Sequence, residues 1–127
     1  MPEISSERRG SIAVITIDNP PVNALSQAVR SGLMTAVEHA DGDEEVSAIV
    51  IVCAGRTFVA GADIREFNKP PMRPYATEFI TRIEGCQKPV VAGVHGTALG
   101  GGLETALGCH YRIALTSARV GLPEVTL

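Results

Sequence analysis

The chain has no tryptophan, and only three phenylalanines and two tyrosines among its 127 residues. Proteins that hold single-stranded nucleic acid need aromatic platforms on which bases stack, and this supply is too small for that. A basic stripe is missing as well. Lys and Arg total 11 against 14 Asp and Glu, a net charge of −3, and the charges are spread rather than blocked. That composition excludes a general nucleic-acid binder. No apolar stretch reaches the ~20 residues of a membrane helix, so a membrane is not an expected partner. Residues 1–10 carry Glu3, Glu7, Arg8 and Arg9 where a secretory signal would have its apolar centre.

Cysteine is scarce too. Cys53, Cys86 and Cys109 stand far apart, and no C-x-x-C pair occurs. An odd count without that spacing gives neither a disulfide framework nor a zinc site. Cys53 and Cys109 adjoin apolar runs and read as small buried hydrophobes. This usage fits a reducing compartment, and a cytoplasmic location is expected. His39, His95 and His110 lack metal-ligand spacing. His39 reads as solvated, and the other two as satisfied structural residues, so no metal is expected.

What is present is 45% apolar sequence, enough for one small domain with a core. Residues 4–8 and 12–18 flank Arg9-Gly10 as a hairpin, and Asn19-Pro20-Pro21 ends the second strand. A helix is predicted next, capped by Asn23, with Leu25, Val29, Leu33, Ala36, Val37 and Ala40 at helical spacing. It ends at Asp41-Gly42-Asp43. Residues 46–52 form a continuous apolar run, the mark of a buried parallel strand. Residues 55–64 and 69–74 read as loops, 75–86 as a helix, 88–94 as a buried strand, 101–107 as a helix and 111–115 as a strand. Strands alternating with helices imply an α/β fold.

Three segments carry chemistry. In Gly100-Gly101-Gly102-Leu103-Glu104, three glycines lead from a strand into a helix whose first N–H groups face outward. A phosphate loop would need Lys-Ser or Lys-Thr where Leu103-Glu104 stands, and a dinucleotide fingerprint would need glycine where Thr105 stands. Both nucleotide readings fail. A G-x-S-x-G elbow is absent, which removes the simplest hydrolase reading. The second segment, Phe58-Val59-Ala60-Gly61-Ala62-Asp63-Ile64, crowds small residues together, and Asp63 can cap the turn that starts at Ile64. In the third, Gly121-Leu122-Pro123-Glu124, Pro123 fixes the backbone ahead of a carboxylate. Apolar surroundings for Glu104 and Glu124 would raise their pKa toward neutrality and suit them to proton transfer. Each segment alone also fits an ordinary tight turn, a capped loop, or a solvated glutamate.

Taken in this order and at this spacing, the three segments resemble the crotonase family, the enoyl-CoA hydratase/isomerase superfamily. The resemblance runs from residue 12 through Asn23-Ala24-Leu25 to Glu124. With Ala106-Leu107-Gly108-Cys109-His110-Tyr111-Arg112-Ile113-Ala114 it is nearest the N-terminal hydratase/isomerase part of multifunctional fatty-acid oxidation enzymes. It implies a crotonase-like α/β fold, a spiral of β-β-α units, with residues 1–127 as the N-terminal portion of that domain. The later helical half of the family domain is not in this sequence, and the apolar ending at Leu127 reads as a fragment boundary. The implied reaction is reversible hydration of 2-trans-enoyl-CoA, with Δ3-to-Δ2 isomerisation on the same groups.

The implied roles follow residue by residue. The backbone N–H groups of Ala62 and Gly101 form an oxyanion hole, and Glu104 and Glu124 are the two catalytic glutamates. Val22, Ala24, Ala60, Asp63, Ile64 and Gly100 line the CoA thioester, and Arg65 reaches a CoA phosphate. No cofactor is implied beyond the CoA of the substrate. The implied partners are a second copy of the chain or an attached dehydrogenase part. The competing readings are another enzyme of the same fold, such as a thioester hydrolase or decarboxylase, which the Glu104/Glu124 pair counts against, and a non-catalytic CoA-binding or assembly module.

Overall fold

A computed structural model describes residues 2–61 and 63–123, with Ile64 described by its backbone alone. Among these residues a five-stranded sheet runs in the order β1-β2-β3-β4-β6. Strands β1 (Ile4–Arg9) and β2 (Ile12–Ile17) form the expected antiparallel hairpin. Strands β3 (Ala48–Cys53), β4 (Val90–Val94) and β6 (Tyr111–Ala114) then add in parallel. Helices α1 (Gln27–Asp41), α2 (Ala76–Glu84) and α3 (Gly101–Gly108) separate them.

The core follows from the two periodicities. Every second residue of β2 and β3 is buried: Ala13, Ile15, Ile17, Ile49, Ile51 and Cys53. Their neighbours on the other face are half-buried. Helix α1 answers with Val29, Leu33, Val37 and Ala40, and α2 with Phe79 and Ile83. Burial of a Leu, Val or Phe contributes about 1.5–3 kcal/mol each, so this stripe dominates the stability of the sheet–helix layer. All three cysteines are buried and unpaired. Burial pushes the Cys53 thiol up to about 12. Burial likewise pushes Cys109 up to about 12, against a smaller opposing pull from Arg112. These thiols behave as packing groups.

Two features depart from the sequence expectation. A second, two-stranded parallel sheet joins β5 (Thr97–Leu99) to β7 (Arg119–Gly121). At three residues each, these strands are too short to show a period. Helix α1 is also capped by Ser26, whose Oγ accepts the Val29 N–H at 3.2 Å, and not by Asn23. Asn23 instead takes a left-handed conformation, φ 54°, which Asn tolerates better than most residues. Its buried side chain ties three places together. Oδ1 accepts the Asn19 N–H at 2.7 Å, while Nδ2 donates to the carbonyls of Ala54 at 2.9 Å and Thr57 at 2.8 Å.

The histidines are placed as expected. His110 Nδ1 accepts the Val90 N–H at 3.0 Å, and its Nε2 lies 3.0 Å from the Glu84 carbonyl. His95 Nε2 lies 2.8 Å from the Gly55 carbonyl, and His39 is exposed. Replacing Ser26 by Ala removes one cap and is expected to cost about 1 kcal/mol. Asn23→Ala leaves one buried and one partly buried carbonyl without this donor and keeps an unfavourable φ, so its cost is expected to exceed that, at about 2–4 kcal/mol. Denaturant unfolding of the two variants measures the order, and an Asn23→Ala loss no larger than that of Ser26→Ala contradicts the bracing role.

Candidate active site

Main-chain hydrogen bonds assemble the two glycine-containing loops into one structure. Residues 57–61 run beside residues 95–99. The Phe58 N–H donates to His95 O at 2.8 Å, and the Leu99 N–H donates to Val59 O at 3.2 Å. Thr57 Oγ1 both donates to Thr97 O at 3.0 Å and accepts the Thr97 N–H at 2.9 Å. An isolated parallel bridge pairs Ala60 with Leu99. On the far side of the loop, the Ala60 N–H donates to Val22 O at 3.0 Å and the Leu25 N–H to Gly61 O at 3.2 Å. The 60–61 segment is thus held from both flanks.

The glycines make this closeness possible. Gly100, at φ 55°, turns the chain from β5 into α3, a conformation costly for residues with a Cβ. A Cβ on Gly102 would overlap the carbonyl oxygen of Val59, a backbone atom that cannot move aside. Gly101 is the first residue of α3, and its N-cap, Gly100, has no side chain to cap that end. The first N–H groups of a helix have no acceptor within it, so this end offers main-chain donors and a partial positive charge. The turn is further anchored by the Gly100 N–H, which donates to Gly121 O at 3.0 Å.

These elements border a cleft of about 730 Å³. Of the residues selected from sequence, Ala60, Asp63, Gly100, Gly101 and Glu104 line it together. Val22 and Ala24 are not among its lining residues. Val22 contributes the carbonyl that holds Ala60, and Ala24 the carbonyl that accepts Asn19 Nδ2 at 3.0 Å. Ile64 opens a single 3-10 turn, Ile64–Glu66. Ala62 and Glu124 lie outside the described residues, though Pro123 reaches the cleft.

One expectation is corrected. Glu104, in the first turn of α3, is exposed rather than enclosed by apolar neighbours. It lines the open cleft. Arg65, whose side chain is 76% exposed, also reaches back to Asp63. Its Nε and Nη2 grip Asp63 Oδ1 at 2.9 Å and Oδ2 at 2.8 Å, while its own N–H donates to Oδ1 at 3.0 Å. These Arg65 contacts, side chain first, hold the Asp63 carboxyl below the usual carboxylate range. Asp63 does cap the turn, as expected.

The opposite wall of the cleft was not anticipated. Phe67, Pro70, Pro71, Met72 and Tyr75 line it, and Phe67, Met72 and Tyr75 are large exposed apolar side chains. The signal available in sequence was an unusual run, Phe67-Asn68-Lys69-Pro70-Pro71-Met72, apolar and stiff where an ordinary loop is polar. The wall's far end is anchored by Glu78, which accepts Arg73 Nε at 2.9 Å and Nη2 at 2.6 Å and the Tyr75 N–H at 3.0 Å.

The spiral of strands and helices is the crotonase-like fold. The chain belongs to the enoyl-CoA hydratase/isomerase family, whose model matches residues 7–127. Among similar proteins, the peroxisomal bifunctional enzyme of Danio rerio is 54% identical over 117 residues, covering 92% of this chain and 16% of that protein. A probable enoyl-CoA hydratase of Bacillus subtilis is 43% identical, covering 91% of this chain and 48% of that protein. The crystal structure of a probable enoyl-CoA hydratase/isomerase from Mycobacterium abscessus superposes with a TM-score of 0.89 at 34% identity, over 99% of this chain and 50% of that one. The chain therefore spans about half the length of the single-function relatives and about a sixth of the bifunctional one.

Gly102→Ala forces the start of α3 away from Val59 and is expected to cost about 1–3 kcal/mol, read as a lowered unfolding midpoint. A midpoint equal to that of the parent chain contradicts the tight contact. Acid is expected to loosen the Glu78 anchor. Hydrogen bonds from Arg73, then from the Tyr75 N–H, pull the Glu78 pKa down from 4.5 to about 2. Its contribution is complete above 4.5 and is lost as pH falls toward 2. Unfolding midpoints across that interval are expected to fall less steeply in Glu78→Gln than in the parent chain.

Proposed function

We propose that the protein catalyses the reversible addition of water to 2-trans-enoyl-CoA, giving 3-hydroxyacyl-CoA in fatty-acid β-oxidation. The observation that carries this reading is the sharing of one cleft by the uncapped N-terminus of α3, the Glu104 carboxylate and the Ala60–Gly61 backbone. In this reading the thioester oxygen rests on the N–H groups of Gly101 and Ala62. Glu104 takes a proton from water as its oxygen bonds to the β-carbon. The π electrons move onto the thioester as an enolate, and Glu124 delivers a proton to the α-carbon. Water has then added across the double bond, and each carboxyl is reset by proton exchange with solvent.

The chemistry needs negative charge to be stabilised on one oxygen, and loss of a single donor of this kind typically costs ~10²–10³ in rate. It calls for no metal, flavin or nicotinamide, because the thioester already acidifies the α-carbon. The same proton shuttle serves Δ3-to-Δ2 isomerisation. Ala60, Asp63, Ile64 and Gly100 contact the thioester in this reading, and Val22 and Ala24 support the loop that does. Residues 1–127 form the N-terminal portion of the hydratase/isomerase domain, and the protein works as a homo-oligomer or joined to a dehydrogenase part. A cytoplasmic location suits the three unpaired thiols. Several relatives are named as peroxisomal, so imaging of the full-length protein decides between the two.

The half-length span favours a second reading for the 127-residue chain by itself, a CoA-thioester-binding module without turnover. Crotonyl-CoA separates them through loss of enoyl-thioester absorbance. The full-length protein is expected to hydrate it, and Glu104→Gln and Glu124→Gln are each expected to slow turnover by at least about a hundredfold. Binding without hydration supports the module. Turnover retained in both variants refutes the assigned roles.

A further inference from the structure

Arg30 stands one turn into α1, and its side chain is only 12% exposed. A cation near a helix N-terminus opposes the helix dipole, and the first turn of α1 holds no acidic residue to offset it. The compensation comes from elsewhere in the chain. Glu66 lies 3.3 Å from Arg30 Nη1 through Oε1, and its Oε2 accepts the Gln27 N–H at 2.8 Å. The rest of the guanidinium is spent on main-chain carbonyls. Nη1 donates to Leu25 O at 2.7 Å, Nη2 to Met72 O at 3.1 Å and Nε to Pro74 O at 2.8 Å. Gln27 Nε2 adds a bond to Arg73 O at 2.9 Å.

One partly buried arginine thus binds the loop before α2 to the start of α1. That loop has no strand or helix of its own between Glu66 and Ala76, so these bonds fix its path. Its outward groups are Phe67, Met72 and Tyr75, which with Pro70 and Pro71 give a mostly apolar wall, with Lys69 its one cation, to the cleft that Gly101 and Glu104 also line. Of the two ends of an acyl-CoA, the polyanionic nucleotide gains little from these apolar groups. The hydrocarbon chain gains burial with every methylene that touches it.

We propose that Arg30 is a positioning residue that sets the acyl-chain preference of the site by holding residues 67–74 as a fixed apolar wall. The inference rests on the hydratase reading for its substrate, while the clamp itself is independent of it. The planar fork matches several carbonyls at once in a way that lysine cannot.

The test uses the full-length protein with Arg30→Met and Arg30→Lys. Hydrogen exchange is expected to quicken across residues 66–75 in Arg30→Met, with the core strands unchanged. KM for 2-decenoyl-CoA is expected to rise about tenfold relative to that for crotonyl-CoA, with kcat for each changing less than about threefold. Arg30→Lys falls between parent and Arg30→Met in both readouts. Unchanged exchange in a folded Arg30→Met overturns the clamp. Quickened exchange with an equal change in KM for both chain lengths overturns the role in selectivity. If Arg30→Met does not fold, Arg30→Lys decides, and parental values in both readouts overturn the proposal. Should the parent protein hydrate neither thioester, the hydratase reading fails by itself. Calorimetric affinities for butanoyl-CoA and decanoyl-CoA then take the place of KM, and equal affinity changes in the variants overturn the inference.

Discussion

The arrangement depends on the main-chain pairing between residues 57–60 and 95–99. Through it two loops distant in sequence become one surface, with the start of α3 at its edge. Nothing in that pairing requires a particular side chain except at Thr57, whose hydroxyl serves Thr97 in both directions. It does require close approach, and Gly102 against Val59 is where that approach is tightest. The sheet and its helices supply the rigidity behind it. Asn23 braces the junction from the other side, bonding the carbonyls of Ala54 and Thr57 that flank this segment.

The site divides its labour between two kinds of structure. One side is a scaffolded backbone with donors at a helix start. The other is a loop of exposed apolar side chains held by Arg30 and Glu78. In the proposed function the first kind serves the oxygen common to all thioesters, and the second serves whatever differs between them.

Much of this was legible in sequence, for identifiable reasons. The hairpin, α1, β3 and β4 announce themselves through period or through continuous β-branched runs, and the structure places all four as expected. The glycine-led helix at 101 and the cap by Asp63 were equally plain. The short strands β5 and β7 were not, since three residues show no alternation. Asn23 was misread because Asn caps helices and also accepts a left-handed backbone, and Ser26 three residues later is an equally good cap. Arg30 gave no signal because the loop carbonyls it holds, Met72 and Pro74, lie more than 40 residues along the chain. The exposure of Glu104 could not be read from its apolar sequence neighbours, since a first-turn residue can point away from all of them.

The main-chain amide at Gly101 has a consequence for heredity. A main-chain N–H survives every replacement at its own position except proline, so no ordinary missense change at that codon deletes the donor. What such a change can do is misdirect it, through the neighbours that aim the peptide plane. The vulnerable codons are then the flanking ones, Gly100 with its left-handed turn and Gly102 with no room for a methyl group. Under the proposed function, damaging variants should therefore cluster around this donor rather than on it, and a search confined to residues with reactive side chains would overlook them.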